Sequence, residues 1–174
     1  FNHRDLEILS RDFDISQWGT PYFVMEYLQG RTLAEEIESY DNGMPVRRVF
    51  QLLRQLIPCV SYAHDHGVVH RDLKPDNIVI ERFKSMELVK VLDFGIAKTN
   101  LPGIETSRLT SSQTVLGSPF YLTPEQITKK KIGNYTDQYA LALIIYEMLT
   151  GEMARQGKSM GEIMFKEAHH PIRP

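Results

Sequence analysis

An α+β fold is predicted for this 174-residue chain by three observations. Aromatic and β-branched segments stand near the front, two short apolar segments form a pair in the middle, and a long helical pattern lies on either side of that pair. Tyr22-Phe23-Val24-Met25-Glu26-Tyr27-Leu28 follows Gly19-Thr20-Pro21 and reads as a strand leaving a turn, ended by Gly30. Thr32-Leu33-Ala34-Glu35 has the spacing of a capping box and opens a short helix that should end near Asp41-Asn42-Gly43. Across 46–64, Val49, Leu52, Leu53, Leu56, Val60 and Ala63 recur at threes and fours, placing a core-facing stripe on a long helix closed by Gly67. Pro58 interrupts that pattern at a cost of about 3 kcal/mol, which packing must offset, and a kink is expected there.

Asn77-Ile78-Val79-Ile80 and Leu88-Val89-Lys90-Val91-Leu92 read as two strands with 81–87 as their turn. The polar stretch between Gly95 and Pro124 is too long for an ordinary connection, which marks it as functional or mobile. Residues 137–149 are apolar nearly all round and end at Gly151, as a buried helix does. There are no internal repeats.

Composition narrows the function classes. With 42% hydrophobic residues and a net charge of -2, the chain is globular and carries no field that would draw nucleic acid or an anionic membrane. The longest apolar run, 139–146, is less than half of the roughly 18 residues a membrane span needs, so no span is expected. One cysteine, Cys59, excludes an internal disulfide framework and fits a reducing compartment, so a cytoplasmic location is the expectation. The ends, Phe1-Asn2-His3 and Ile172-Arg173-Pro174, read like cuts within a longer protein.

Chemistry concentrates in His70-Arg71-Asp72-Leu73-Lys74-Pro75-Asp76-Asn77 and, downstream, Asp93-Phe94-Gly95. Asp72 is a candidate base, Lys74 a cation for a phosphoryl group, and Asn77 with Asp93 supply the hard oxygen ligands that magnesium prefers. Taken singly, an Asp-Phe-Gly triplet is a common turn and an Asp beside an Arg is a surface ion pair. The order and spacing favour chemistry, because a hairpin between Asn77 and Asp93 can bring both to one metal site.

These motifs, with hinge-like Met25-Glu26-Tyr27-Leu28 and Gly117-Ser118-Pro119-Phe120-Tyr121-Leu122-Thr123-Pro124-Glu125, resemble the eukaryotic-type (Hanks-type) serine/threonine protein kinases. The wording of 62–70 and 91–98 is similar to bacterial members. The resemblance implies a protein-kinase-like fold, with 1–28 a remnant of the smaller lobe and hinge and 29–174 a mostly helical larger lobe cut before its final helices. It implies transfer of the ATP γ-phosphate to Ser/Thr hydroxyls of protein substrates, with Mg2+ held by Asn77 and Asp93. Asp72 would take the hydroxyl proton, Lys74 would stabilise the transferring phosphoryl group and contact the nucleotide, and Ser118 would bridge Asp72 and Lys74. Met25 would be the gatekeeper, Glu26 and Leu28 would bond the adenine edge, and Val79 would floor the pocket. Asp137 would anchor the catalytic-loop backbone. Arg71 and Lys98 would receive a phosphate on Thr110, Ser112 or Thr114, including one placed by autophosphorylation in trans.

Other features have plainer readings. His64 with His66 is expected to be a helix end rather than a metal pair, His169-His170 likewise, and Lys129-Lys130-Lys131 a solvated face. Departures from the family pattern are Thr123 in place of alanine, Ala142 in place of glycine, and Met153-Ala154-Arg155 in place of a Pro-Pro-Phe-like segment. The last is expected to reshape a docking surface. No glycine-rich loop or strand lysine precedes Met25, so this segment alone is expected to be inactive. A pseudokinase or scaffold that binds nucleotide or partners without transfer is the alternative, against which intact Asp72, Lys74, Asn77 and Asp93 argue. A small-molecule phosphotransferase of similar fold fits the long Ser/Thr-bearing segment less well.

Overall fold

The computed structural model describes residues 11–15, 21–24, 26–84, 86–94, 119–128, 130–155 and 162, and everything below concerns these. Strands β1 (Arg11–Ile15) and β2 (Pro21–Val24) pair antiparallel, with Ile15 opposite Pro21 and Arg11 opposite Val24. The strand expected over 22–28 therefore stops at Val24, and 26–29 is irregular. Gly30 does not end it. Gly30 opens β3 (Gly30–Thr32), which pairs with β4 (Ile78–Phe83), and a Cβ at that position would lie 2.4 Å from the Ile80 carbonyl oxygen. The glycine serves close backbone approach rather than a turn.

The capping box forms as expected: the Glu35 amide donates to Thr32 Oγ1 at 3.1 Å and the Thr32 amide to Glu35 Oε2 at 2.8 Å, starting α1 (Leu33–Glu38). The helix ends before 41–43 because the Ser39 hydroxyl donates to the Glu36 carbonyl at 2.6 Å, competing with further helix bonds. Helix α2 (Val46–Asp65) runs uninterrupted through Pro58 and buries Val49, Leu52, Leu56, Val60 and Ala63, with Leu53 partly buried. Burial of Leu52, Leu56 and Val60, at about 1.5–3 kcal/mol each, outweighs the proline penalty. Its end is a Schellman motif: Val68 N–H donates to the Ala63 carbonyl and Gly67 N–H to that of His64, with Gly67 at φ 75°.

β4 and β5 (Met86–Val91) form a hairpin in register from Ile78↔Val91 to Phe83↔Met86, giving a three-stranded sheet of order β3-β4-β5. The strands extend through residues expected in the turn because their charged side chains pair across the sheet: Lys90 Nζ lies 3.0 Å from Glu81 and Arg82 Nε 3.6 Å from Glu87. The free edge of β5 is covered by Gln55 of α2, whose amide donates to the Glu87 carbonyl and accepts from the Val89 amide at 3.2 and 3.1 Å. Arg48 ties the hairpin to both helices, bonding buried Glu36 at 2.7 Å and also Glu87.

Helices α3 (Pro124–Ile127) and α4 (Asn134–Thr150) follow, α4 ending at left-handed Gly151 as expected. Leu33, Leu56, Leu73, Ile78, Ile144 and Met148 meet in one core joining α1, α2, the hairpin and α4. Among the described residues no helix is long and apolar enough to cross a membrane.

Candidate active site

The chain leaving α2 is folded into a loop by groups from three elements. His70 is fully buried; its Nε2 bonds the Leu92 carbonyl at 2.7 Å, and its ring packs against Phe94 with centroids 4.8 Å apart. The Asp72 amide donates to His70 Nδ1 at 3.3 Å, so one neutral imidazole donates on one side and accepts on the other. Burial holds this imidazole below its ordinary value, outweighing the Leu92 carbonyl and the nearby carboxylates that act the other way.

Asp137, 1% exposed in the first turn of α4, accepts from the His70 amide at 2.8 Å and the Arg71 amide at 2.9 Å. This is the anchoring the resemblance implied. The same carboxylate also takes His64 Nε2 at 2.7 Å. His64 is thereby spent on α4, and His66 Nδ1 bonds the Tyr62 carbonyl, as structural histidines at a helix end do. Among the described residues no group of three or more His, Cys, Asp or Glu side chains could hold a metal.

Arg71 sits at φ 67°, a left-handed conformation costing about 1–2 kcal/mol in a non-glycine residue, and the bonds around it hold it there. His70, Leu73 and Pro75 are buried, and Asp72 and Lys74, which alternate with them along the loop, are partly exposed. A turn of 3-10 helix, Pro75–Asn77, then delivers Asn77, whose amide nitrogen donates to the Asp72 carbonyl at 2.9 Å. That bond leaves Asn77 Oδ1 as the atom able to accept or ligate. The Leu92 amide donates to the Asn77 carbonyl at 2.8 Å, extending the hairpin pairing one step past Ile78↔Val91. Asp93 follows, exposed and at φ 58°. The hairpin thus brings Asn77 and Asp93 to one end of the sheet, as their spacing suggested.

In the segment expected to be hinge-like, exposed Glu26 pairs with Lys90 at 2.7 Å, while Glu81 receives both Lys90 and the Gln29 amide, the latter at 3.2 Å. Burial lowers the Lys90 ammonium, but the two carboxylates outweigh it and hold it above its ordinary value. Leu28 is half-buried. Val79 is buried at 7% on the face of β4 opposite core residues Ile78 and Ile80. Met25, Ser118, Lys98, Thr110, Ser112, Thr114, Lys129, His169 and His170 lie outside the described residues. Lys130 and Lys131 are exposed, as expected of a solvated face.

Several contacts on the far side of the loop had no signal in the sequence. Asp72, Lys74, Tyr121, Leu122 and Gln126 line one pocket. The Tyr121 hydroxyl donates to Glu147 of α4; burial raises that carboxyl above its ordinary value, against the pull of the hydroxyl. Glu125 accepts from the Thr136 hydroxyl at 2.6 Å. Arg155, expected on a docking surface, is instead 6% exposed: it donates to the Leu122 carbonyl and, at 2.9 Å, to the Tyr139 hydroxyl, with its guanidinium 5.2 Å from that ring's centre. Thr123, another departure, is fully buried and bonded to Gln126.

An α+β chain in which a buried helix carboxylate holds the backbone of a His-Arg-Asp loop has the protein-kinase-like fold. A sequence profile of the protein kinase domain matches residues 15–173, and the chain belongs to that family. It is similar to serine/threonine-protein kinase A of Synechocystis sp., at 34% identity over 173 residues, 94% of this chain and 32% of that protein. Serine/threonine-protein kinase PrkC of Bacillus subtilis is 37% identical over 146 residues, 83% of this chain and 21% of the relative. A probable serine/threonine-protein kinase of Dictyostelium discoideum is 36% identical over 146 residues, 75% of this chain and 31% of the relative. The chain therefore spans about a third or less of the length of these relatives.

Proposed function

We propose that the protein carrying this chain transfers the γ-phosphate of ATP to serine or threonine hydroxyls of protein substrates. The observation that carries the reading is the convergence on Asp72. Asp137 fixes the two residues before it, His70 Nδ1 takes its amide, and Asn77 takes its carbonyl, so a carboxylate is presented in a fixed direction at a pocket it shares with Lys74. Asp72 accepts the substrate hydroxyl proton as the new O–P bond forms and the bond from the γ-phosphorus to the bridging oxygen breaks, releasing ADP. Lys74 balances charge on the transferring phosphoryl oxygens. By the family resemblance Ser118 would bridge the two, the arrangement expected of a Ser/Thr-selective site.

Asn77 and Asp93 form a donor set of two hard oxygens from the hairpin end, too few for an all-protein cage. They fit magnesium, which keeps waters and binds through one or two protein oxygens plus substrate phosphates. When bound, the ion neutralises phosphate charge. Met25, Glu26, Leu28 and Val79 hold the adenine, with the Glu26–Lys90 pair steadying the hinge. The names of the relatives support Ser/Thr specificity.

Phosphate incorporation from labelled ATP into a Ser/Thr protein substrate, with the protein expressed from its complete reading frame, tests the reading. Asp72→Asn is expected to lower the rate by about 10²–10⁴; equal incorporation by both proteins would refute the mechanism.

A further inference from the structure

Gln126, on the four-residue helix α3, has no part in the motif reading of the site, yet its side chain joins two segments that line the same pocket. Its Oε1 accepts from the Thr123 amide at 2.9 Å and the Thr123 hydroxyl at 3.1 Å, and its Nε2 donates to the Arg71 carbonyl at 2.6 Å. The chemistry fixes the amide orientation: a backbone N–H only donates and a carbonyl only accepts, so the oxygen faces Thr123 and the nitrogen faces Arg71.

The Arg71 carbonyl belongs to the peptide unit that leads into Asp72. Its other end, the Asp72 N–H, is held by His70 Nδ1 at 3.3 Å. The plane of that peptide sets the direction in which the Asp72 side chain leaves the backbone, and it follows a residue held at φ 67°, where the backbone relaxes unless restrained. Asp137 restrains the amide side of Arg71 and His70 the far end of the peptide. The carbonyl is restrained by Gln126, from the side of the pocket that Tyr121 and Leu122 line.

We infer that Gln126 is a positioning residue, which locks the peptide bearing Asp72 to the segment that receives the substrate, so that the placement of that segment sets the aim of the base. The inference rests on the phosphotransfer reading for its consequence in rate, but not for its geometry. In Gln126→Glu the acceptor oxygen that caps Thr123 is kept, while the donor to Arg71 becomes an oxygen facing an oxygen. Gln126→Met removes both at equal length.

Assayed in the protein from its complete reading frame, Gln126→Glu should lower kcat about tenfold with the KM for ATP unchanged, since a misaimed base costs rate rather than nucleotide binding. Its thermal midpoint should fall by no more than that of Gln126→Met, while amide hydrogen exchange over 70–77 should quicken more in Gln126→Glu. A purely capping role predicts the reverse pattern, in which Gln126→Glu behaves as wild type and only Gln126→Met is impaired. Wild-type kcat in Gln126→Glu, or unchanged exchange over 70–77, overturns the inference. If the unmutated protein transfers no phosphate, the functional reading fails instead, and the exchange measurement still decides this one.

Discussion

Replacing Asp137 with asparagine tests the centre of the site with one atom changed. The carboxylate takes three donors with both oxygens: Arg71 N on Oδ1, and His70 N with His64 Nε2 on Oδ2, at 2.7–2.9 Å and 1% exposure. An asparagine oxygen can serve one side only, so its NH2 must face a backbone N–H. The stranded donor costs about 1–3 kcal/mol, and the surviving bonds lose their charge assistance, at roughly 0.5–1 kcal/mol each. The expected loss is about 2–5 kcal/mol, a large fraction of a stability of about 5–15 kcal/mol. Urea denaturation measures it: with a slope of about 2 kcal/mol per molar, the midpoint should fall by about 1–2.5 M at constant slope. Asp65→Asn, an exposed change at the end of α2, should stay within about 0.5 kcal/mol. If Asp137→Asn loses no more than that control, the carboxylate does not organise the loop and does not fix the backbone that presents Asp72.

His70 makes stability depend on pH. Burial keeps its folded value below the 6.5 of a free imidazole, so the unfolded chain takes up a proton first as pH falls. The contribution is present above about pH 6.5 and is lost below it, and His70→Asn should remove that part of the slope of urea midpoint between pH 8 and 5; identical slopes would refute it. Arg155→Leu leaves the Leu122 carbonyl and the Tyr139 hydroxyl without their shared donor and should cost about 1–3 kcal/mol by thermal denaturation. Arg155→Lys should recover only part, because its one nitrogen lacks the planar fork by which two guanidinium nitrogens reach the two acceptors separately; full recovery would show that charge alone suffices.

Elements held by local chemistry were legible in the sequence: the Thr32–Glu35 box, the stripe on α2, the hairpin, and α4 with its glycine cap. The acidic and amide groups of the loop were legible because motif spacing encodes them, and Asp137 because the resemblance carried it. What escaped was decided at long range. Gly30 looks like a turn residue until β4 passes against it, and Arg155 like a surface charge until the Leu122 carbonyl and the Tyr139 ring close around it. Gln126 and the Tyr121–Glu147 bond belong to the same class, since neither partner predicts the other from its neighbours.

The pairing of β4 with β5 also acts as a ruler. Asn77 and Asp93 stand just beyond the Ile78↔Val91 pair, so their separation is counted out by strand register rather than by any contact between them. Sliding one strand by a single residue would move Asp93 by about 3.3 Å and turn Val91 out of the core. Length is therefore free to vary at the tip around Lys84, whereas a deletion of one residue within 86–91 would leave every functional side chain in place in the sequence and dismantle the site.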